Sequence, residues 1–308
     1  MSQGRILCCG EALIDMIPGG GGYVPHTGGA VFNTAIALGR LGARAGMLTG
    51  LSRDMFGAML EAELAASGVE TELVIRSDRL TTLAFVQLTE GKARYTFYDE
   101  NSAGRMISAD DLPELPEDVG TLFFGGISLV VEPGAEAYAA LLSREAARRV
   151  VMIDPNIRPG FVTDEARYRA RLGAMIGQAD LMKVSDEDLD WLVPGAATVA
   201  EKLRSLPGPH VTVVTEGAAG ATAYLSGGGA VSVAARAVEV ADTVGAGDSF
   251  NAGFLAALDA RGLLSKPGIA GIGPEAVEAA LAQANAVAAI TVSRDGANPP
   301  WAAELASA

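Results

Sequence analysis

Between residues 121 and 225 the chain alternates short apolar runs with longer amphipathic ones, and this order constrains the fold more than any other feature. Strand-like runs at 121–125, 150–154 and 181–184 are followed by helix-like stretches at 135–148, 164–177 and 186–192, with further strands at 211–215 and 221–225. Strands joined by crossover helices pair in parallel, and the helices then cover both faces of the sheet. Upstream, a strand over 5–10, a helix through 36–41 stopping at Gly42, a strand over 45–50 and a helix over 56–67 ending at Gly68 fit the same plan. The runs 83–89 and 93–98 do not, because they alternate apolar with polar and are joined by Glu90-Gly91-Lys92 as an antiparallel hairpin. The reading is therefore three-layer α/β/α with a mainly parallel central sheet and a small β appendage. No internal repeat or linker divides the 308 residues, 49% of them hydrophobic, so one large domain over 1–308 is expected.

Charge and cysteines exclude several function classes. A net charge of −14 with a pI near 4.6 gives no basic stripe for nucleic acid, so any bound polyphosphate must find local positive charge. Cys8 and Cys9 are adjacent in an apolar run and read as buried free thiols suited to a reducing cytoplasm. The run 6–17 is interrupted by Glu11 and Asp15, and no apolar stretch is long enough to span a bilayer, so neither export nor a membrane anchor is expected.

Chemistry concentrates in two glycine-rich stretches. Asp242 to Phe250 reads DTVGAGDSF and runs into a helix. Gly245, Ala246 and Gly247 keep the turn nearly bare, so backbone amides and the helix N-terminus can receive an anion. Asp248, expected to stay ionised at the helix start, is placed to take a proton from an attacking hydroxyl. The same residues read equally as an ordinary helix cap. Near the N-terminus, Gly28 and Gly29 precede Asn33 at the start of the helix that stops at Gly42, and Asp15 follows the first strand, where α/β folds collect ligands. A Gly-rich turn with an Asn cap is the alternative. Gly19 to Gly22 is read as flexible, too rich in glycine for regular structure.

The nonapeptide, together with the GG pair and Asn33 in the expected order, resembles the two signatures of the PfkB, or ribokinase-like, carbohydrate kinases. The wording TLAF and YTFYDENSAGR is more similar to bacterial fructokinases than to ribokinases or nucleoside kinases. The resemblance implies a ribokinase-like fold whose small β-sheet lid, from segments at about 11–29 and 83–104, covers the sugar and often makes a dimer contact. It implies Asp248 as catalytic base, the Gly245, Ala246 and Gly247 amides as anion hole, and Asp15, Gly28, Gly29 and Asn33 on the sugar. Ala30 stands where many ribokinases carry Lys, which counts against ribose. In the DPN.R segment 154–158, which fructokinases and ketodeoxygluconate kinases share, Arg158 is a candidate phosphate or substrate contact or a surface ion pair.

For ATP, the resemblance points to Lys183 and Ser185, to the loop of Thr215, Gly217 and Gly220, and to Asn285. The family's N..E pair for water-bound Mg2+ falls on Ser185 and Asp188, with Glu187 as a rival. A K+-like ion would be held by Asp242, Val244, Thr291, Arg294 and Gly296. The D.FG-like segment Asp54 to Gly57 is taken as packing.

Rival classes fail on particular residues. None of Lys92, Lys183, Lys202 or Lys266 precedes Ser or Thr, which removes a P-loop, and neither His26 nor His210 opens an HRD. A dinucleotide fold lacks the third glycine of its fingerprint, and a Ser249 esterase lacks a downstream His. A silent sugar-binding relative should have lost Asp248 or the anion hole. The sequence thus predicts an ATP-dependent kinase of a small sugar, foremost D-fructose. A 2-keto-3-deoxygluconate kinase, a ribokinase and a nucleoside kinase are the alternatives.

Overall fold

The computed structural model describes residues 4–89, 92–195 and 197–306. Arg5–Cys9 (β1) is buried at all five positions, as befits a strand paired on both edges and covered on both faces. Successive side chains leave it in opposite directions. Ile6 and Cys8 join a cluster with Phe32, Met152 and Phe254, while Leu7 and Cys9 join one with Leu122, Tyr138 and Ile153. Both cysteines are free, and burial pushes both thiols far above their ordinary pKa.

The chain continues through Leu13–Gly19 (β2), Gly22–Gly28 (β3), Ala30–Arg40 (α1), Ala45–Leu48 (β4), Gly50–Ser52 (β5), Met55–Ala66 (α2), Ile75–Ser77 (β6), Leu83–Thr89 (β7) and Lys92–Tyr98 (β8). Next come Val119–Gly125 (β9), Gly134–Glu145 (α3), Val150–Asp154 (β10), Glu165–Ile176 (α4), Leu181–Ser185 (β11), Asp186–Leu192 (α5), Val199–Ser205 (α6), Val211–Thr215 (β12), Ala221–Leu225 (β13) and Ala230–Val233 (β14). Ala246–Ala260 (α7), Lys266–Ala270 (α8), Pro274–Val292 (α9) and Ala302–Ala306 (α10) complete it.

The central sheet has eight strands in the order β14-β13-β12-β11-β10-β9-β1-β4. From β12 to β4 neighbours run parallel, and β13 and β14 are antiparallel at one edge. The cluster around Ile6 is covered by α1, α2, α7 and α9, and that around Leu7 by α3 and α4, so the layers are α/β/α. Helix α7 is buried from Asp248 through Asp259, packed between α1 and α9.

A second sheet, β3-β2-β7-β8, stands apart from the first. The predicted hairpin is β7–β8, with Leu83 opposite Tyr98; its turn residues Glu90 and Gly91 lie outside the described residues. The stretch read as flexible proves ordered. Gly20 and Gly21, at φ 60° and 83°, form the two-residue turn that returns β2 as β3. Positive φ at both central positions matches the twist of a tight hairpin and suits glycine. Other boundaries shift too. The first helix begins at Ala30, six residues before the apolar period shows, and the strand expected over 45–50 breaks after Leu48, β5 pairing with β6 instead of the central sheet. Asp54 caps α2 by accepting the Phe56 and Gly57 amides, and it also accepts from Thr81, so it acts through hydrogen bonds.

Candidate active site

The strands β1, β10, β11 and β12 and the N-termini of α1 and α7 bring the two glycine-rich stretches together. Gly245, at φ 76°, is the residue before α7. A β-carbon there would stand 2.7 Å from Ala297 Cβ, so this turn requires glycine for space as well as for backbone angle. The Ala246 amide donates to Thr243 O at 3.3 Å, and the next amides belong to the first helical turn, which has no intrahelical acceptors to offer them.

Asp248 is 8% exposed, and its Oδ2 accepts a hydrogen bond from Asn33 Nδ2 at 2.9 Å. Thr34 Oγ1 donates to the Asp248 main-chain oxygen at 3.3 Å, which fastens α1 to α7. The expectation that helix position alone keeps this carboxylate ionised is corrected. Burial, with a contribution from Asp154, pushes it up to about 7, and the Asn33 bond and Lys183 offset only part of that.

Asp248, Asn33, Asp15 and Gly29 line one cavity of about 440 Å³, together with Arg158, Lys183 and Gly245 to Gly247. Asp15 comes from β2 and burial pushes its carboxyl up to about 6. Gly28 lies behind it and outside the lining; a side chain there would collide with the Asp15 carboxylate, so the residue makes room rather than contact. Gly29 precedes α1 at φ 110°, with Glu11 O 3.0 Å from where a β-carbon would be. Arg158 is exposed at the rim, its Nη1 donating to Ile157 O.

A second cavity of about 580 Å³ is lined by Thr215, Gly217, Gly220 and Asn285, with apolar walls from Val238, Val240, Phe250 and Val292. Asn285 Nδ2 donates to Val233 O at 3.0 Å and Ala234 O at 3.2 Å, holding the chain after β14 against α9. The two cavities share Thr243, Ala246 and Gly247. A polar cavity, the acceptor cavity under the expected sugar-kinase roles, and a largely apolar one thus meet at the bare turn, with Asp248 on the polar side.

Lys183, expected with the nucleotide, lines the acceptor cavity instead. It is 5% exposed, with Nζ 3.1 Å from Asp154 Oδ2 and 3.1 Å from where a β-carbon on Gly247 would stand, close to the shared wall. Ser185 and Asp188 line neither cavity. Ser185 Oγ accepts the Asp188 amide as the cap of α5, and Asp188, 7% exposed, accepts the Ile157 amide at Oδ1. Glu187 is exposed. Asp242 joins the two loops proposed around a monovalent ion, its Oδ1 accepting the Val244 amide and its Oδ2 the Gly296 amide, both at 3.0 Å. Thr291 is buried and its carbonyl accepts the Arg294 amide.

Several lining residues escaped the sequence reading. Glu11 Oε1 accepts the Ala30 amide at 3.1 Å and Oε2 the Ser128 amide at 3.2 Å, tying the start of α1 to the turn after β9; burial raises its pKa. Its position at the end of β1 was the available signal. Asn156, at φ 40°, sits in the DPN turn and lines the acceptor cavity. Tyr95 and Phe97 reach the cavity from β8, and Phe97 meets Phe161 edge-on at 4.4 Å between ring centres.

Residues 4–304 match the pfkB family of carbohydrate kinases. The chain belongs to that family. This pfkB kinase is 48% identical over 280 residues to a fructokinase of Rhizobium leguminosarum bv. trifolii, covering 88% of this chain and 85% of that one. The crystal structure of the Xylella fastidiosa fructokinase with bound ATP superposes with a TM-score of 0.90 at 29% identity, over 99% of this chain and 98% of that one. A Vibrio cholerae O395 fructokinase double mutant in fructose-, ADP- and potassium-bound form gives 0.87 at 26% identity, with the same coverage.

Proposed function

We propose that this pfkB kinase is an ATP-dependent fructokinase converting D-fructose to fructose 6-phosphate. The observation that carries the reading is the meeting of two cavities at the Gly245–Gly247 turn, with Asp248 on the acceptor side of the shared wall. Asp248 takes the proton of the primary hydroxyl as its oxygen bonds to the γ-phosphorus and the bond to the β–γ bridging oxygen breaks, releasing ADP. A carboxyl near 7 is matched to that task at neutral pH. The turn amides and the Lys183 ammonium stabilise charge on the moving phosphoryl group. Asp15, Asn33 and Gly29 orient the sugar, and the small sheet, as a lid, excludes water.

Magnesium would supply charge neutralisation on the nucleotide phosphates. Among the described residues no three His, Cys, Asp or Glu side chains cluster as a metal cage, which suits an ion held mostly by phosphate and water. Of the two acids considered for that water shell, Glu187 is exposed and Asp188 has one oxygen committed to the Ile157 amide, and neither lines either cavity. The Asp242 link between residues 242–245 and 291–296 supports a K+ site there. The outer face of the small sheet supports a homodimer: Phe85 meets Tyr23 and Tyr98 edge-on, Tyr98 is 59% exposed, and Met55 and Leu80 stand open beside them. No helix among the described residues is long and apolar enough to cross a membrane, and with two free thiols this supports a cytoplasmic enzyme.

An uncharged sugar fits better than a carboxylate one. Glu11, Asp15 and Asp248 all line the acceptor cavity, and its cations stand at its ends, Lys183 beside Gly247 and Arg158 at the rim. The Tyr95, Phe97 and Phe161 wall favours a second reading, a nucleoside acceptor stacked on aromatic rings. A coupled ADP-release assay over fructose, tagatose, ribose, 2-keto-3-deoxygluconate and adenosine separates them. Fructose should give the highest kcat/KM by about tenfold or more; preference for adenosine or ketodeoxygluconate would overturn the assignment.

A further inference from the structure

Asp154 ends β10 with a carboxylate 2% exposed, and the phosphoryl transfer outlined above gives it no task. Its Oδ2 accepts from Lys183 Nζ at 3.1 Å and from Asn251 Nδ2 at 2.7 Å, and its Oδ1 accepts the Asn156 amide at 3.2 Å. One side chain therefore joins β11, α7 and the DPN turn. Each partner sits beside the reacting region: Lys183 near Gly247, Asn251 three residues after Asp248 on the same helix, and Asn156 in the acceptor cavity.

A buried ammonium persists only where a counter-charge offsets its lost hydration. Asp154 supplies that charge and uses only one of the three ammonium hydrogens, which leaves two for an anion on the cavity side. Asn251 is 1% exposed, and its Oδ1 has no hydrogen-bond partner among the described residues. An amide left half satisfied in the interior is costly, and turning it over would set its oxygen against the Asp154 carboxylate. Asp154 thus fixes which way this amide points.

We infer that Asp154 is a positioning residue for phosphoryl transfer: it holds the Lys183 ammonium beside the Gly245–Gly247 turn and anchors α7 through Asn251, so that cation and helix-end amides face one group. The inference rests on the kinase reading. Its electrostatics are separable from its packing. The groups acting on Asp248 are Glu11 from the end of β1, Asp154 from β10, Lys183 from β11 and Asn33 from α1, with Asp15 and Arg158 lining the same cavity. Asp154 raises the Asp248 pKa, and Lys183 lowers it.

The test compares Asp154→Asn, which keeps shape and an acceptor oxygen, with Lys183→Gln. Expected are a fall in kcat of about tenfold or more for each, with the sugar KM within about threefold of the parent. The acidic limb of the kcat/KM profile should move to lower pH in Asp154→Asn and to higher pH in Lys183→Gln. A purely structural role would lower the melting temperature and leave the kcat of the folded variant within about threefold of the parent's. Unchanged kcat in both variants overturns the inference while leaving the kinase reading intact, since that reading is tested separately by the ADP-release assay on the parent. Should Asp154→Asn not fold, the kcat of Lys183→Gln decides, and a value within about threefold of the parent's overturns the proposal.

Discussion

Asn33 Nδ2 donates to Asp248 Oδ2 at 2.9 Å, joining two residues 215 positions apart. The bond gives Asn33 a part beyond the sugar contact implied by its motif, because it steadies one oxygen of the proposed base and favours the ionised form. In the proposed transfer the second carboxylate oxygen receives the proton of the sugar hydroxyl.

Replacing that base should separate chemistry from binding. Asp248→Asn keeps an oxygen for Asn33, so the variant should fold and bind fructose with an affinity near the parent's by calorimetry. Its kcat in the ADP-release assay should fall by about a thousandfold, within the range expected for loss of a general base. Turnover near the parent's would remove Asp248 from that role.

The same carboxyl fixes a pH dependence. The base works deprotonated, so kcat/KM should rise with pH through about 7 and level off above it, and Asn33→Ala, which removes a bond to the anion, should carry that limb upward. Stability runs the other way. The folded-state pKa lies above the unfolded value, so stability from this site is complete below about pH 4 and lost as pH rises through about 7; for Asp15 the loss comes by about 6. Asp248→Asn escapes the penalty and should melt higher than the parent at pH 8. The gain is about 2 to 4 kcal/mol, with three pKa units as its ceiling. Equal melting temperatures at pH 8 would contradict the buried-carboxylate argument.

How far the residues announced this arrangement depends on range. The strands 150–154 and 211–215 were legible to the residue, because buried parallel strands are short, largely apolar, β-branched-rich runs bounded by turn residues. Strand β3 was not, since GYVPHTG is largely exposed and carries Pro25. Gly245, Asn33 and Asp248 could be named from local chemistry. Asp188 could not be placed that way: whether its carboxylate faces a cavity or the Ile157 amide is decided by a loop 31 residues away. Glu11 could be placed at a strand end, but not its task, since both its amide partners are distant in sequence.

Gly245→Ala should damage the fold and the site together. The new β-carbon would meet Ala297 at 2.7 Å at a φ of 76°, a combination that costs about 1 to 3 kcal/mol. Thermal melting should drop by several degrees and the KM for ATP should rise, because the turn belongs to both cavities. An unchanged ATP KM would detach the turn from the nucleotide.

The outer face of the small sheet yields a prediction about assembly. Leu83, Phe85 and Tyr98 project from the side opposite Tyr95 and Phe97, since alternate residues of a strand face opposite ways. Tyr23 packs on Phe85, and Leu80, at 72% exposure, stands open beside them. If two copies bury this face against each other, Tyr98→Asp combined with Leu80→Glu should turn a dimer into a monomer in sedimentation velocity, since both place unpaired charge in the contact. Activity should fall less than solution mass, because the acceptor cavity draws on the opposite side of the strands. A parent chain that sediments as a monomer at tens of micromolar would rule this contact out.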